Sequence, residues 1–144
     1  MKKQAYISLM ILSLFVAMSV TSVNAQSQAK LVANIPFEFV AGEKTMPAGE
    51  YTIRPVSEFG LRTRLLIRSR DGKAVTTVMV NSVQLSEIQK ESKLVFNRYG
   101  DQTFLSQVWT SQSEYIGEVI RSKAEDRLAK KGAEREVVTT NTRQ

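Results

Sequence analysis

The chain has 144 residues and a formal net charge of +6, from 20 Lys and Arg against 14 Asp and Glu. It contains neither cysteine nor histidine. Disulfide frameworks, structural zinc of the Cys/His kind and every Ser-His-Asp, Cys-His or histidine-base mechanism are therefore excluded, which leaves carboxylate, Lys, Tyr or Ser/Lys chemistry.

Residues 1–25 read as a secretory leader. Lys2 and Lys3 form a basic start, and the uncharged run from Ala5 to Val20 is rich in Ile, Leu, Met, Phe and Val. Val23-Asn24-Ala25 then offers the small residues that a signal peptidase reads, which places cleavage between Ala25 and Gln26. The apolar run falls short of the roughly 20 residues a bilayer span needs, so no transmembrane anchor is expected. Cleavage would leave 119 of the 144 residues, with the net charge down from +6 to +4 as Lys2 and Lys3 depart. That length suits one small β-rich domain, 26–144, located in the periplasm or secreted.

In chain order, Leu31, Ala33, Ile35, Phe37 and Phe39 alternate with more exposed types, the period-two pattern of a half-buried strand. Pro36 lacks an N–H and points to a sheet edge. Met46-Pro47-Ala48-Gly49 reads as a β-turn, and Tyr51 and Ile53 mark the buried side of the next strand. Asp71-Gly72 is a two-residue hairpin signal that sets Arg68 opposite Val75, Leu66 opposite Thr77 and Arg64 opposite Met79. One face then carries Leu61, Leu65, Ile67, Ala74, Val78 and Val80 as core.

After a polar stretch, Ser86 to Ser92, Gly100-Asp101 centres a second hairpin through a Gly-first type II′ turn. It sets Phe96 opposite Leu105 and Leu94 opposite Gln107. The β core is expected over 31–117 and a helix over 119–132, with a capping box at Ser122-Lys123-Ala124-Glu125 and a stop at Gly132. Residues 133–144 read as a tail or a short last strand.

The stretches Ile35-Pro36-Phe37-Glu38-Phe39, Met46-Pro47-Ala48-Gly49-Glu50-Tyr51-Thr52-Ile53 and Tyr99 to Trp109 resemble small exported proteins common in soil acidobacteria. The likeness covers most of the chain beyond the leader. It implies export and a single domain, and it brings no reaction, ligand or catalytic residue. Members of that group often carry His where Asn97 stands, so any role of that His does not transfer.

The candidate ligand-binding residues are Arg62, Arg64, Arg68, Arg70 and Lys73, on one face of the first hairpin. Such a face suits an anionic ligand, a glycan or lipid of the envelope, because arginine binds phosphate, sulfate and carboxylate bidentately. The competing readings are a plainly solvated face, or a face covered by the acidic C-terminal helix (Glu118, Glu125, Asp126, Glu134). Arg98, Tyr99 and Asp101 sit at the tip of the second hairpin as candidate partner contacts. Trp109, Tyr115 and Tyr51 could form a sugar-stacking platform, but Trp109 shares a face with Leu105 and reads as core.

No metal, cofactor or nucleic acid is expected, since no ligand set, phosphate-cradling Gly loop or exposed basic–aromatic pattern is present. The expected fold is mainly β, an antiparallel β-sandwich or partly open barrel of about six to eight strands with one short C-terminal α-helix. The expected function is a non-catalytic binding or envelope-associated interaction module. The alternatives are a small carboxylate-dependent periplasmic hydrolase or a purely structural envelope or matrix protein.

Overall fold

A computed structural model describes residues 30–59 and 62–143. The expected leader, its cleavage position and Leu61 lie outside these described residues, among which no helix is long and apolar enough to cross a membrane. The strands are β1 (Leu31–Ile35), β2 (Phe39–Ala41), β3 (Lys44–Met46), β4 (Gly49–Phe59), β5 (Arg62–Ser69), β6 (Val75–Gln84), β7 (Lys93–Tyr99), β8 (Gln102–Trp109), β9 (Tyr115–Val119) and β10 (Glu136–Arg143). Helix α1 (Lys123–Lys130) lies between β9 and β10.

The strands are ordered β3-β2-β8-β7-β10-β1-β4-β5-β6-β9, and β9 pairs back onto β8. Eight of them, β8-β7-β10-β1-β4-β5-β6-β9, thus form a closed antiparallel barrel, with the β2–β3 hairpin attached to β8 through a parallel contact at Val40 and Phe104. The expected mainly β fold with one short helix is found, while the sandwich or partly open barrel of about six to eight strands is matched only roughly, since the barrel is closed and carries two further strands. The reason for the closure is β10: the β-branched stretch Val137 to Thr140 forms no tail, but inserts between β7 and β1 and pairs with both. Without it both neighbours would present a row of unpaired backbone groups. Val138, Thr140 and Thr142 are the half-buried residues of its alternation.

β1 is likewise no edge strand, since β10 and β4 flank it. Pro36 falls one residue past its end and so costs the ladder nothing. β4 runs on to Phe59 through a bulge between Pro55 and Ser57, a place where a residue without an N–H is tolerated.

The β5–β6 register is the one Asp71-Gly72 implies, with Arg68, Leu66 and Arg64 opposite Val75, Thr77 and Met79. The connection itself differs from a two-residue turn. A type I′ turn needs positive φ at both central residues, whereas Gly72 (φ 73°) has it and Asp71 does not. The loop closes one step earlier, with Ser69 N donating to Ala74 O at 2.8 Å and Gly72 N to Ser69 O at 2.9 Å. The Asp71 carboxylate accepts from Ser69 Oγ at 2.6 Å and Lys73 N at 3.0 Å. Those two bonds hold its pKa below the ordinary carboxylate range.

In the β7–β8 hairpin Gly100 has φ 62°, as a Gly-first turn requires, and Phe96 faces Leu105. Beyond that pair a bulge at Ser106 shifts the register by one, so Leu94 faces Val108 and not Gln107. The slip reverses the faces of the β8 residues beyond it. Val108 joins Leu105 in the core, and Trp109 turns out to a half-buried position, correcting its reading as core. There its Nε1 donates to Gln107 Oε1 at 2.9 Å and Lys93 Nζ lies 4.1 Å from its ring centre.

The barrel interior is unequal along its length. Around the C-terminal end of β1, aromatic rings pack edge to face: Phe39 on Tyr51 at 5.2 Å, Phe39 on Phe96 at 5.5 Å and Phe37 on Phe96 at 5.2 Å. Each such pair adds about 0.5–1.5 kcal/mol beyond its area burial. Together with Met46, which is fully buried, they plug that end.

Candidate functional site

β5 alternates strictly: Leu65 and Ile67 point into the barrel while Arg62, Arg64 and Arg68 are exposed on its outside. The turn adds the exposed Arg70 and Lys73. The structure therefore brings all five predicted cations to one flank of the barrel. It also contributes Arg54, which pairs with Leu66 from the neighbouring strand and so sits diagonally between Arg64 and Arg68. Diagonal cross-strand neighbours lie about 7–8 Å apart, within reach of long side chains. Arg70 Nη1 is 3.5 Å from Glu50 Oε1. The acidic helix does not cover this face: Ser122 caps it elsewhere, Lys123 N donates to Glu43 Oε1 at 3.1 Å, and Glu125 is held by Asn97 on β7.

The tip of the second hairpin is different from its expectation as a contact site. Tyr99 is 6% exposed and packs edge to face on Phe104, which removes it from any surface. Arg98 is half-buried over the Phe37 ring, donates to Thr103 Oγ1 at 3.3 Å and lies 3.8 Å from Glu136 Oε2. Asp101 is exposed. The three aromatics of the sugar platform are also dispersed between core and surface, since Tyr51 is buried and Tyr115 is 45% exposed.

The feature sequence reasoning missed is at the end of the barrel opposite the aromatic plug. A cavity of about 280 Å³ opens there, with Leu31, Ile53, Leu65, Val80 and Val108 as its apolar wall. Thr63, Ser82, Thr110, Ser113 and Tyr115 add hydroxyls, and Arg54 and Pro55 complete one side. Gly117 also lines it, packed so closely on the wall that a Cβ there would meet Val80 Cγ2 at 3.2 Å. An eight-stranded barrel has an interior that side chains either fill or leave free for one small ligand. Here rings fill one half, while Thr63, Ser82 and Gly117 leave room in the other. The rim is braced, because the 85–92 connection is hydrogen-bonded to the 112–114 segment through Leu85 N to Glu114 O, Gln89 N to Ser113 O and Gln112 N to Gln89 O.

A second buried polar group sits outside the barrel under α1. Ser122 Oγ accepts from Glu125 N at 3.1 Å, which is half of the expected capping box. The Glu125 carboxylate does not turn back to complete it. It accepts from Asn97 Nδ2 at 2.8 Å, with Arg121 Nε at 4.0 Å, and Glu125 is only 2% exposed. Asn97 Nδ2 also lies 3.2 Å from Ser106 Oγ, on the bulge residue. This cluster ties the helix to the β7–β8 face, and Asn97, Ser106 and Arg121 also line a surface pocket of about 440 Å³ beside it. Among the described residues, no group of three or more Asp or Glu is placed to hold a metal ion.

Fold and site together define a small closed β-barrel, plugged by aromatic rings at one end and hollow at the other. Comparison with protein-family models, with curated proteins and with solved structures returns no match.

Proposed function

We propose that this chain is an exported, non-catalytic binding module that holds one small, largely apolar ligand in the open end of its barrel. The observation that carries the reading is the cavity itself: an apolar wall, with Thr63 and Ser82 beside it and Gly117 adding no side chain to the lining. Ligand sites are concave and mostly apolar, with a few placed polar groups to orient the bound molecule, and about 300 Å³ is the lower end of their range. Export is supported by the basic, apolar and small-residue segments of the leader.

Native mass spectrometry of the purified protein, with titration of an environment-sensitive apolar dye, tests the site. The wild type should bind one dye per chain. Ser82→Phe, which sets a ring in the lumen, should abolish that signal while the fold is retained. Dye binding unchanged by Ser82→Phe would place the ligand elsewhere. N-terminal sequencing of the protein from a periplasmic extract should begin at Gln26, and a mature start at Met1 would refute export by cleavage.

A further inference from the structure

We infer that the outer face of β4, β5 and β6 is a docking surface for an anionic phospholipid bilayer. This goes beyond the cavity reading and does not depend on it. On β4 and β5, Arg54, Arg62, Arg64 and Arg68 point outward. The loop at one end of the face adds Arg70 and Lys73, with Glu50 beside Arg70.

Between these cations lie apolar side chains of the same face. Leu66 pairs with Arg54, Val75 pairs with Arg68, and Met79 pairs with Arg64. Val75 and the bulge residue Val56 are 37% and 39% exposed. Guanidinium groups match phosphate oxygens bidentately, and short apolar side chains between them fit the boundary between headgroups and acyl chains. A soluble acidic polymer would use the charges and leave the apolar residues without a partner. A bilayer uses both.

The placement has a geometric companion. Thr63, whose chain neighbours Arg62 and Arg64 face outward, belongs to the cavity wall, as does Arg54. Docking by this face therefore sets the mouth of the barrel beside the lipid surface.

Each Arg close to an anionic membrane surface contributes about a fivefold factor in affinity. The periplasmic form of the protein, starting at Gln26 and so free of the apolar leader that would itself bind lipid, is sedimented with vesicles of phosphatidylcholine containing phosphatidylglycerol, and with vesicles of phosphatidylcholine alone. Binding should require the anionic lipid and fall as salt rises. The triple variant Arg54→Gln, Arg62→Gln, Arg68→Gln should bind on the order of a hundredfold more weakly. The triple Lys variant at the same positions should stay close to wild type, which separates lost charge from lost fold.

Removing the same number of charges near the helix, with Lys130→Gln, Lys131→Gln and Arg135→Gln, should leave binding nearly intact. Equal weakening by the two Gln triples would overturn the proposal, because net charge alone would then explain the binding. Equal binding to neutral vesicles would overturn it too. So would face-dependent binding to dextran sulfate without binding to anionic vesicles, which would make the partner a soluble polyanion.

Discussion

Breaking the Asn97–Glu125 tie should expose how much the fold depends on one buried carboxylate. Asn97 donates to Glu125 at 2.8 Å, and the nearest cation, Arg121, stands at 4.0 Å. Asn97→Ala leaves that carboxylate without its closest donor at a site that is 2% exposed. Hydrogen bonds to charged groups contribute about 1.5–3 kcal/mol, and stranding a buried charge costs towards the top of that range or above, so a loss near 3 kcal/mol is expected. For a domain of this size that is a drop in Tm of roughly 12 °C.

With Glu125→Gln in the background the stranded group is neutral, and the same Asn97→Ala change should cost only about 0.5–1.5 kcal/mol. The difference, about 1.5–2.5 kcal/mol, is the coupling energy of the double-mutant cycle. Urea melts of the four proteins measure it. Equal cost of Asn97→Ala in both backgrounds would refute the reasoning, because it would mean that the carboxylate does not rely on Asn97.

Ser122→Ala removes the oxygen that accepts from Glu125 N, and should cost about 1 kcal/mol in the same melts. Burial, and secondarily the charge of Asp71, push the Tyr51 phenol above its ordinary pKa of 10.0. The folded state thus favours the protonated form, so its contribution to stability is complete below pH 10.0 and disappears as pH rises through the higher folded value. Tyr51→Phe should flatten that alkaline loss, at a cost of about 0.5–1.5 kcal/mol at neutral pH for the bond to Pro47 O; an unchanged alkaline limb would refute the assignment. Deleting residues 133–144 removes β10 and should abolish cooperative thermal unfolding, since the barrel would be left with two open edges.

Much of the local structure is legible in the sequence because it is set by nearby residues. Tyr51 and Ile53 alternate inward, Gly100 and Gly72 place both hairpins, and Ser122 caps the helix where the spacing predicts. The basic face is readable for the same reason, since a two-residue period and one turn fix which way Arg62, Arg64 and Arg68 point. The misreadings arise where a contact spans the chain. Nothing near Val137 indicates that it will pair with Asn97, and nothing near Pro36 indicates that β1 will have neighbours on both sides. The bulge at Ser106 carries no Gly or Pro signal, so a plain two-residue period puts Trp109 on the wrong face. The cavity is hidden because Thr63, Ser82 and Gly117 become neighbours only once the strand order is known. Glu125 reads as a capping residue because its partner lies 28 positions away.

The position of β10 has a consequence for how fast the barrel forms. Val32 pairs with Arg143, so the contact that closes the ring joins two ends of the domain. Local hairpins such as β5–β6 and β7–β8 need only short loops, and such elements form within about 1–10 μs. The ring contact must wait until both are built and the intervening chain is drawn together, an entropic delay that grows with the span. Folding dominated by such distant pairings belongs to the slow class, milliseconds to seconds. During that interval β1 and β7 each hold one unsatisfied edge, and those edges set the time over which this chain is open to pairing with another.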